Sequence, residues 1–182
     1  MSTIKQKSRR AAKSNPVSPG DFRALPFLHG QPGHLARRFH QIAVSIFCEE
    51  FVGLDVTPVQ YAILCAIHDQ PGIDQVTLAG LVALDTSTSA SVCARLEERG
   101  WVKRAQAGGD RRKKSLVLTE AGRRLVHRSA ECATRLNARV MAPLKIAEQV
   151  TFLRLLERLV DMNNELSRAP YQAEAAEANR AD

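Results

Sequence analysis

Asp74–Gly122 reads DQVTLAGLVALDTSTSASVCARLEERGWVKRAQAGGDRRKKSLVLTEAG, and this stretch decides the fold. Two short helical patterns lie on either side of Asp85-Thr86-Ser87. Thr77, Leu78, Leu81 and Val82 give the first an apolar side, and Val92, Leu96 and Arg99 recur at helical spacing in the second, over Thr88–Arg99. Gly100 stops the second helix, as glycine does just past a C-terminus. Two strand-like runs follow, Trp101–Ala105 and Ser115–Leu118, separated by Gly108-Gly109-Asp110-Arg111-Arg112-Lys113-Lys114. Helix, turn, helix and then a β-hairpin with a basic tip is the order of a winged helix-turn-helix. The expected class is therefore mainly α with a small β-hairpin wing.

The charges in this stretch suit a DNA partner. Trp101–Leu118 holds six basic residues, Lys103, Arg104, Arg111, Arg112, Lys113 and Lys114, against the single acid Asp110. Thr86–Ala94 holds no acid and five hydroxyl side chains, Thr86, Ser87, Thr88, Ser89 and Ser91. Hydroxyls and helix N-terminal amides bond phosphates and base edges. A charged hairpin tip by itself also fits a solvated turn; behind a helix-turn-helix pattern, double-stranded DNA is the better reading.

Leu84-Asp85-Thr86-Ser87-Thr88, Arg95-Leu96-Glu97-Glu98-Arg99-Gly100-Trp101-Val102, Asp110-Arg111-Arg112 and Leu118-Thr119-Glu120-Ala121-Gly122 together resemble the multiple-antibiotic-resistance regulator (MarR) family. The resemblance runs from about Gly33 to Leu166 and includes Thr57–Leu64 as the family's second helix. It implies a dimeric winged helix acting by ligand-relieved repression. It also implies that Arg112 enters the minor groove and that Asp110 braces it, and a guanidinium suits a narrow, electronegative groove. At Ser91 the chain departs from the family, where arginine is common.

The whole chain, 182 residues with a formal charge of +7, is long enough for one principal domain with a real core. A basic balance favours a polyanionic partner. No apolar run approaches the ~20 residues of a membrane span, and Met1–Gly20 lacks the apolar centre of a signal peptide, so a cytoplasmic protein without membrane contact is expected. Cys48, Cys65, Cys93 and Cys132 lie far apart with no CxxC, which fits neither a zinc ribbon nor a disulfide framework; buried free thiols are expected. His29, His34, His68 and His127 have no metal-ligand spacing, so neither metal nor cofactor is expected.

Residues 1–25 form a basic arm, with Lys5, Lys7, Arg9, Arg10 and Lys13 and no acid over the first twenty positions; the composition is that of a disordered segment. Residues 26–56 carry a first dimerisation helix over about Gly33–Phe51, with Leu35, Phe39, Ile42, Ile46 and Phe47 as its stripe. Residues 57–118 are the winged helix-turn-helix, opened by Thr57-Pro58 as cap and first helical residue. Ile73–Val76 fits a short strand. Residues 119–167 hold two C-terminal dimerisation helices, one capped by Thr119 and running to about Met141, the other about Ile146–Ser167. The second is apolar around much of its circumference, as expected for a helix buried against a partner chain in a homodimer. Residues 168–182 should fray.

The DNA-contacting candidates are Thr86, Ser87, Thr88, Ser91 and Arg95 on the recognition helix, with Asp110, Arg111, Arg112, Lys113 and Lys114 in the wing; Arg95 could instead pair with Glu98 or Glu120. Arg37, Arg38, His40 and Gln41 place cations and an imidazole on an otherwise apolar helix, and a guanidinium is a planar fork for a carboxylate. The resemblance puts effectors near the first and second helices. These residues with Tyr61, and Phe39, Phe47 and Trp101 as aromatic walls, point to a small aromatic acid as effector; a solvated basic face is the plain alternative. Two rival classes remain: a redox regulator using Cys48 or Cys65, and a winged helix used for protein contacts. No nucleophile–base signature or phosphate loop marks an enzyme.

Overall fold

The computed structural model describes Leu28, residues 30–106 and residues 114–171. The chain divides into two compact units, residues 1–41 and 42–182. Helix α1 (Pro32–Glu50) begins in the first unit and ends in the second. Then come α2 (Pro58–Asp69), β1 (Ile73–Asp74), α3 (Gln75–Leu81), α4 (Thr86–Glu98), β2 (Val102–Gln106), β3 (Lys114–Leu118), α5 (Glu120–Met141) and α6 (Ile146–Met162), with a 3₁₀ turn at Asn164–Leu166. Among the described residues no single helix is long and apolar enough to cross a membrane.

Side chains choose the helix starts. Thr57 caps α2 by accepting the Gln60 N–H at 3.2 Å while the Gln60 side chain accepts the Thr57 N–H at 3.0 Å, a reciprocal box with Pro58 at the first helical position. Asp74 caps α3 and Asp85 caps α4, so Thr86 and Ser87 belong to the first turn of α4 and not to the connection before it. Gly100 ends that helix at φ +69°, a conformation open to glycine at little cost.

The wing is a three-stranded antiparallel sheet in the order β1-β3-β2, with Ile73 opposite Leu116 and Val102 opposite Leu118. A hairpin alone would leave one edge of β3 unpaired; the two residues of β1 cover it, extended by the Gly72 N–H donating to the Leu116 carbonyl at 2.9 Å. The core lies where this sheet meets the helices. It is built from Ile63, Leu64 and Ile67 of α2, Leu78 of α3, Cys93 and Leu96 of α4, Ile73, Val102, Leu116 and Leu118 of the sheet, and Leu125 of α5. Each large aliphatic side chain so buried contributes about 1.5–3 kcal/mol.

The final helix is shorter than its apolar pattern suggests. It stops at Met162 because Asn163 turns its amide back to the Leu159 carbonyl at 2.8 Å, and the next residue, Asn164, bonds the chain at Tyr171 instead. None of its residues is buried: Val150 is 63% exposed and Leu159 62%. At the start of the stretch expected to fray, the Asn164 side chain bonds both the N–H and the carbonyl of Tyr171. Residues 1–25 and 172–182 lie outside the described residues.

One corner fixes α5 to the wing. The Thr119 hydroxyl accepts the Gly122 N–H at 3.1 Å and donates to the Gly100 carbonyl at 2.6 Å, and the Thr119 N–H donates to the Trp101 carbonyl at 3.0 Å. A Cβ at Gly122 would stand 2.1 Å from that same Trp101 oxygen. Alanine is a better helix former than glycine by about 1 kcal/mol, yet Gly122→Ala should lower stability by about 1–3 kcal/mol, because backbone would have to move. Urea unfolding checks this; an unchanged or raised midpoint would contradict the close approach.

Candidate nucleic-acid interface

Helix α4 has two sides with different chemistry. Ser89, Cys93 and Leu96 have no exposed surface. Thr86, Ser87, Thr88, Ser91 and Arg95 are all exposed, and Thr88, Ser91 and Arg95 follow one another at helical spacing. All five helix candidates are thus solvent-exposed, and Thr88, Ser91 and Arg95 share one side of α4.

Asp85 organises the start of that surface. Its carboxylate accepts the Ser87 hydroxyl and the Thr88 hydroxyl, each at 2.6 Å, and the Thr88 N–H at 2.9 Å. Those bonds, the Ser87 and Thr88 hydroxyls first, hold its carboxyl well below the usual carboxylate range. Asp74 plays the same part for α3. Burial pushes its carboxyl up, but the Thr77 hydroxyl at 2.6 Å and the N–H groups of Thr77 and Val76 outweigh that and bring it down.

Arg95 pairs with neither Glu98 nor Glu120 among the described residues; Glu120 is taken by Arg123 at 2.9 Å and Arg124 at 3.4 Å. In the wing, Arg104 grips the Glu97 carboxylate through Nε at 2.9 and 3.1 Å, which ties β2 to the end of α4. Lys103 is exposed. Asp110, Arg111, Arg112 and Lys113 lie outside the described residues, and Lys114 opens β3.

The effector candidates fall in both units. Arg37, Arg38, His40 and Gln41 are exposed on the part of α1 in the first unit. Tyr61 belongs to the second, where its ring meets Phe51 edge-on at 4.8 Å and Phe47 at 5.9 Å. Phe47 and Phe51 are themselves stacked at 3.9 Å. Burial, and then its bond with Cys65, push the Tyr61 phenol up to about 12. Tyr61 is therefore an aromatic-cluster residue. Trp101, expected as another wall, has its face covered by the Arg99 guanidinium at 3.8 Å.

Two sets of residues escaped the sequence reading. Arg99 donates to the Asp55 carbonyl at 2.7 Å and pairs with the Asp55 carboxylate, joining the α1–α2 loop to the end of α4. Asp55 adopts φ +48°, and no sequence signal announced it. Arg135 and Arg139 of α5 hold Glu50 at 2.7 Å each, and Arg139 also holds Glu49 at 2.7 Å. Arg139 and then Arg135 keep the Glu50 carboxyl below its ordinary value. The adjacent glutamates and the one-turn spacing of the arginines were the available signal.

The cysteines differ from the expectation of buried thiols. Cys93 is buried, Cys65 and Cys132 are half-buried, and Cys48 is exposed. Burial pushes the Cys65 thiol up, away from the thiolate that a redox sensor uses.

A winged helix of this shape has known counterparts. The MarR family model matches residues 56–114. The HTH-type transcriptional repressor NicR of Pseudomonas putida is 33% identical over 131 residues, 72% of this chain and 83% of that protein. The chain belongs to the MarR family. Among solved structures, the PcaV transcriptional regulator from Streptomyces coelicolor in complex with its natural ligand is similar at TM-score 0.68 and 38% identity, over 76% of this chain and 97% of that one. A structure on the regulation of DNA binding of Bordetella bronchiseptica BpsR by 6-hydroxynicotinic acid is similar at TM-score 0.65 and 32% identity, over 70% of this chain and 96% of that one.

As a MarR-family protein the chain is a DNA-binding transcriptional regulator and not an enzyme. The start of its α4 rests on the Asp85 cap, which gives a pH signature. The folded carboxyl is below its unfolded value near 4, so its contribution is full above about pH 4 and fades as pH falls further. Asp85→Ala should lower the thermal midpoint at pH 7, and the gap from wild type should shrink below about pH 4. A gap that is constant across that range would show that the bonds at Asp85 do not stabilise the fold.

Proposed function

We propose that this protein is a homodimeric repressor that reads an inverted-repeat operator and is released from it by a small aromatic acid. The observation that carries the DNA part is helix α4, where Thr86, Ser87, Thr88, Ser91 and Arg95 are exposed while Ser89, Cys93 and Leu96 are sealed into the core. In a winged helix such a helix enters the major groove by its N-terminal turns. Ser87 and Thr88 give their hydroxyl protons to Asp85, so their oxygens are left to accept, as from the exocyclic amino group of adenine or cytosine. Thr86 and Ser91 then serve as donors to phosphate or base edges, and Arg95 as a cation one turn on. In the wing, Arg112 enters the minor groove with Asp110 as brace, while Arg111, Lys113 and Lys114 add phosphate contacts.

The dimer is supported by α6. Val150, Leu153, Leu156, Leu159 and Val160 are all exposed in the single chain, and apolar side chains left uncovered along one helix suit an interface. A twofold pair of recognition helices sets half-sites about one helical turn apart, roughly 34–36 Å. The effector class draws on two observations: Arg37, Arg38, His40 and Gln41 are exposed together on α1, and a similar protein, BpsR, has its DNA binding regulated by 6-hydroxynicotinic acid. An arginine holds a carboxylate by paired, charge-assisted bonds.

Leu156→Glu should sediment as a monomer and lose the inverted-repeat footprint, since a carboxylate buried in the interface without a partner costs several kcal/mol. A wild-type chain that is already monomeric when dilute would overturn the dimer.

For the effector, Arg38→Ala should bind operator like wild type but resist release. Calorimetry and anisotropy against benzoates, salicylates, hydroxycinnamates and hydroxynicotinates check this. A tenfold loss of DNA affinity on saturation corresponds to about 1.4 kcal/mol of coupling. If no acid binds, or every acid releases mutant and wild type alike, the cluster is a solvated basic face.

A further inference from the structure

Gly80 sits inside α3, where glycine costs a helix about 1 kcal/mol relative to alanine. Its surroundings explain the choice. A Cβ there would lie 3.1 Å from the Pro170 carbonyl oxygen, 3.6 Å from the Tyr171 Cα and 3.8 Å from the Pro170 carbonyl carbon. Glycine therefore lets the chain beyond α6 settle directly on the helix. That segment is pinned from its other side. The Asn164 side-chain amide donates to the Tyr171 carbonyl at 2.7 Å and its oxygen accepts the Tyr171 N–H at 2.8 Å, while the Ser167 hydroxyl oxygen accepts the Ala169 N–H at 3.1 Å.

The segment runs beside the start of the recognition helix. Arg168 and Pro170 border a cavity of about 250 Å³ whose opposite wall includes Gly80, Leu84, Asp85 and Thr86. Arg168 is exposed. Asp85 has no need of it, because the Ser87 and Thr88 hydroxyls already occupy its carboxylate. The helix-turn-helix itself is short of cations: from Gln75 to Ala94 there is no lysine or arginine, and Asp85 is the one charged side chain. In this architecture the first helix crosses the DNA backbone and the second enters the groove. The edge nearest the phosphates is thus built of neutral and acidic groups, and the segment after α6 brings a guanidinium to it.

We propose that residues 167–171 form a strap belonging to the DNA-binding surface, and that Arg168 supplies a backbone phosphate contact flanking the first turn of α4. This rests on the DNA reading of α4 given above. Arginine suits the task because its planar fork holds a phosphate by two bonds. The contact carries no sequence preference; it fixes how the helix-turn-helix sits on the duplex.

The test measures binding of the full chain to a duplex carrying the promoter region next to its own gene, and to a random-sequence duplex of the same length, over roughly 50–200 mM salt. Arg168→Ala should lower the slope of log affinity against log salt by about 0.9 and weaken both duplexes by the same factor. Arg168→Lys should keep the slope. Gly80→Leu, whose side chain would take the strap's seat, and Asn164→Ala, which unpins it, should reproduce the loss. Combined with Arg168→Ala, each should add little, because one contact is lost only once. Arg112→Ala in the wing serves as the control and should cost about one unit of slope by itself. If wild type binds neither duplex in a salt-dependent way, the DNA reading fails and takes the strap with it. If wild type and Arg112→Ala behave as stated while Arg168→Ala keeps the wild-type slope, or if the Gly80→Leu and Arg168→Ala losses simply add, the strap inference alone is overturned.

Discussion

Ser89, Cys93 and Leu96 have no exposed surface, and the placement of everything on the opposite side of α4 follows from that burial. A thirteen-residue helix is marginal in water by itself, so its position comes from the side chains it sinks into the core. Leu96 packs in the same cluster as Leu64 of α2, Leu78 of α3 and Leu116 of the sheet. Interiors packed to this density do not deform gradually, which holds the exposed hydroxyls and Arg95 at fixed heights along the helix. A recognition surface read by hydrogen bonds needs such fixity, because a bond stretched by half an ångström is largely lost.

The acids of this region are consistent with the same demand. A surface that approaches a polyanion should carry no unengaged carboxylate, yet both helices of the helix-turn-helix begin at an aspartate. Asp74 and Asp85 resolve the conflict by giving their charge to N–H and hydroxyl donors of the first turns. Each acts on orphan donors that would otherwise need water, and on the positive end of the helix dipole. Away from these two caps, several acids are matched to arginines: Glu97 to Arg104, Glu120 to Arg123, Glu50 to Arg135 and Arg139.

Most of the fold could be read from the chain because its signals are local. Thr57-Pro58, Asp85 with Ser87 and Thr88, Gly100 and Thr119 each mark a boundary through bonds made within about four residues. What the sequence did not disclose is long-range. The Asp55–Arg99 link spans 44 positions and the Glu50–Arg139 link 89; the paired glutamates and the spaced arginines of the second mark charged clusters, but no local pattern matches one to the other. The end of α6 was missed for a different reason. Apolar periodicity continues past Met162, but Asn163 and Asn164 spend their side chains on backbone groups, and that competition decides against the helix. The hydroxyls of α4 were legible as exposed side chains, whereas the contacts of the Tyr61 ring with Phe47 and Phe51 were not, because they join residues of α2 to the end of α1 and the loop after it.

Magnitudes limit how ligand binding can reach α4. A tenfold change in DNA affinity requires about 1.4 kcal/mol of difference between two arrangements of the protein. Within the larger unit, Arg99 joins the α1–α2 loop to the end of α4, but Asp55 is solvent-exposed and an exposed pair is worth about 0–1 kcal/mol. That link alone falls short. Beside it, the stacked rings of Phe47 and Phe51, with Tyr61 edge-on, join the end of α1 to α2, and aromatic pairs of this kind add about 0.5–1.5 kcal/mol beyond the area they bury. Since α2 supplies Ile63, Leu64 and Ile67 to the cluster that holds Leu96, displacing the end of α1 loads the core side of α4 as well as its C-terminal link. The aromatic cluster, with the ion pair as its smaller companion, thus ties the end of α1 and the loop after it to the core that holds α4.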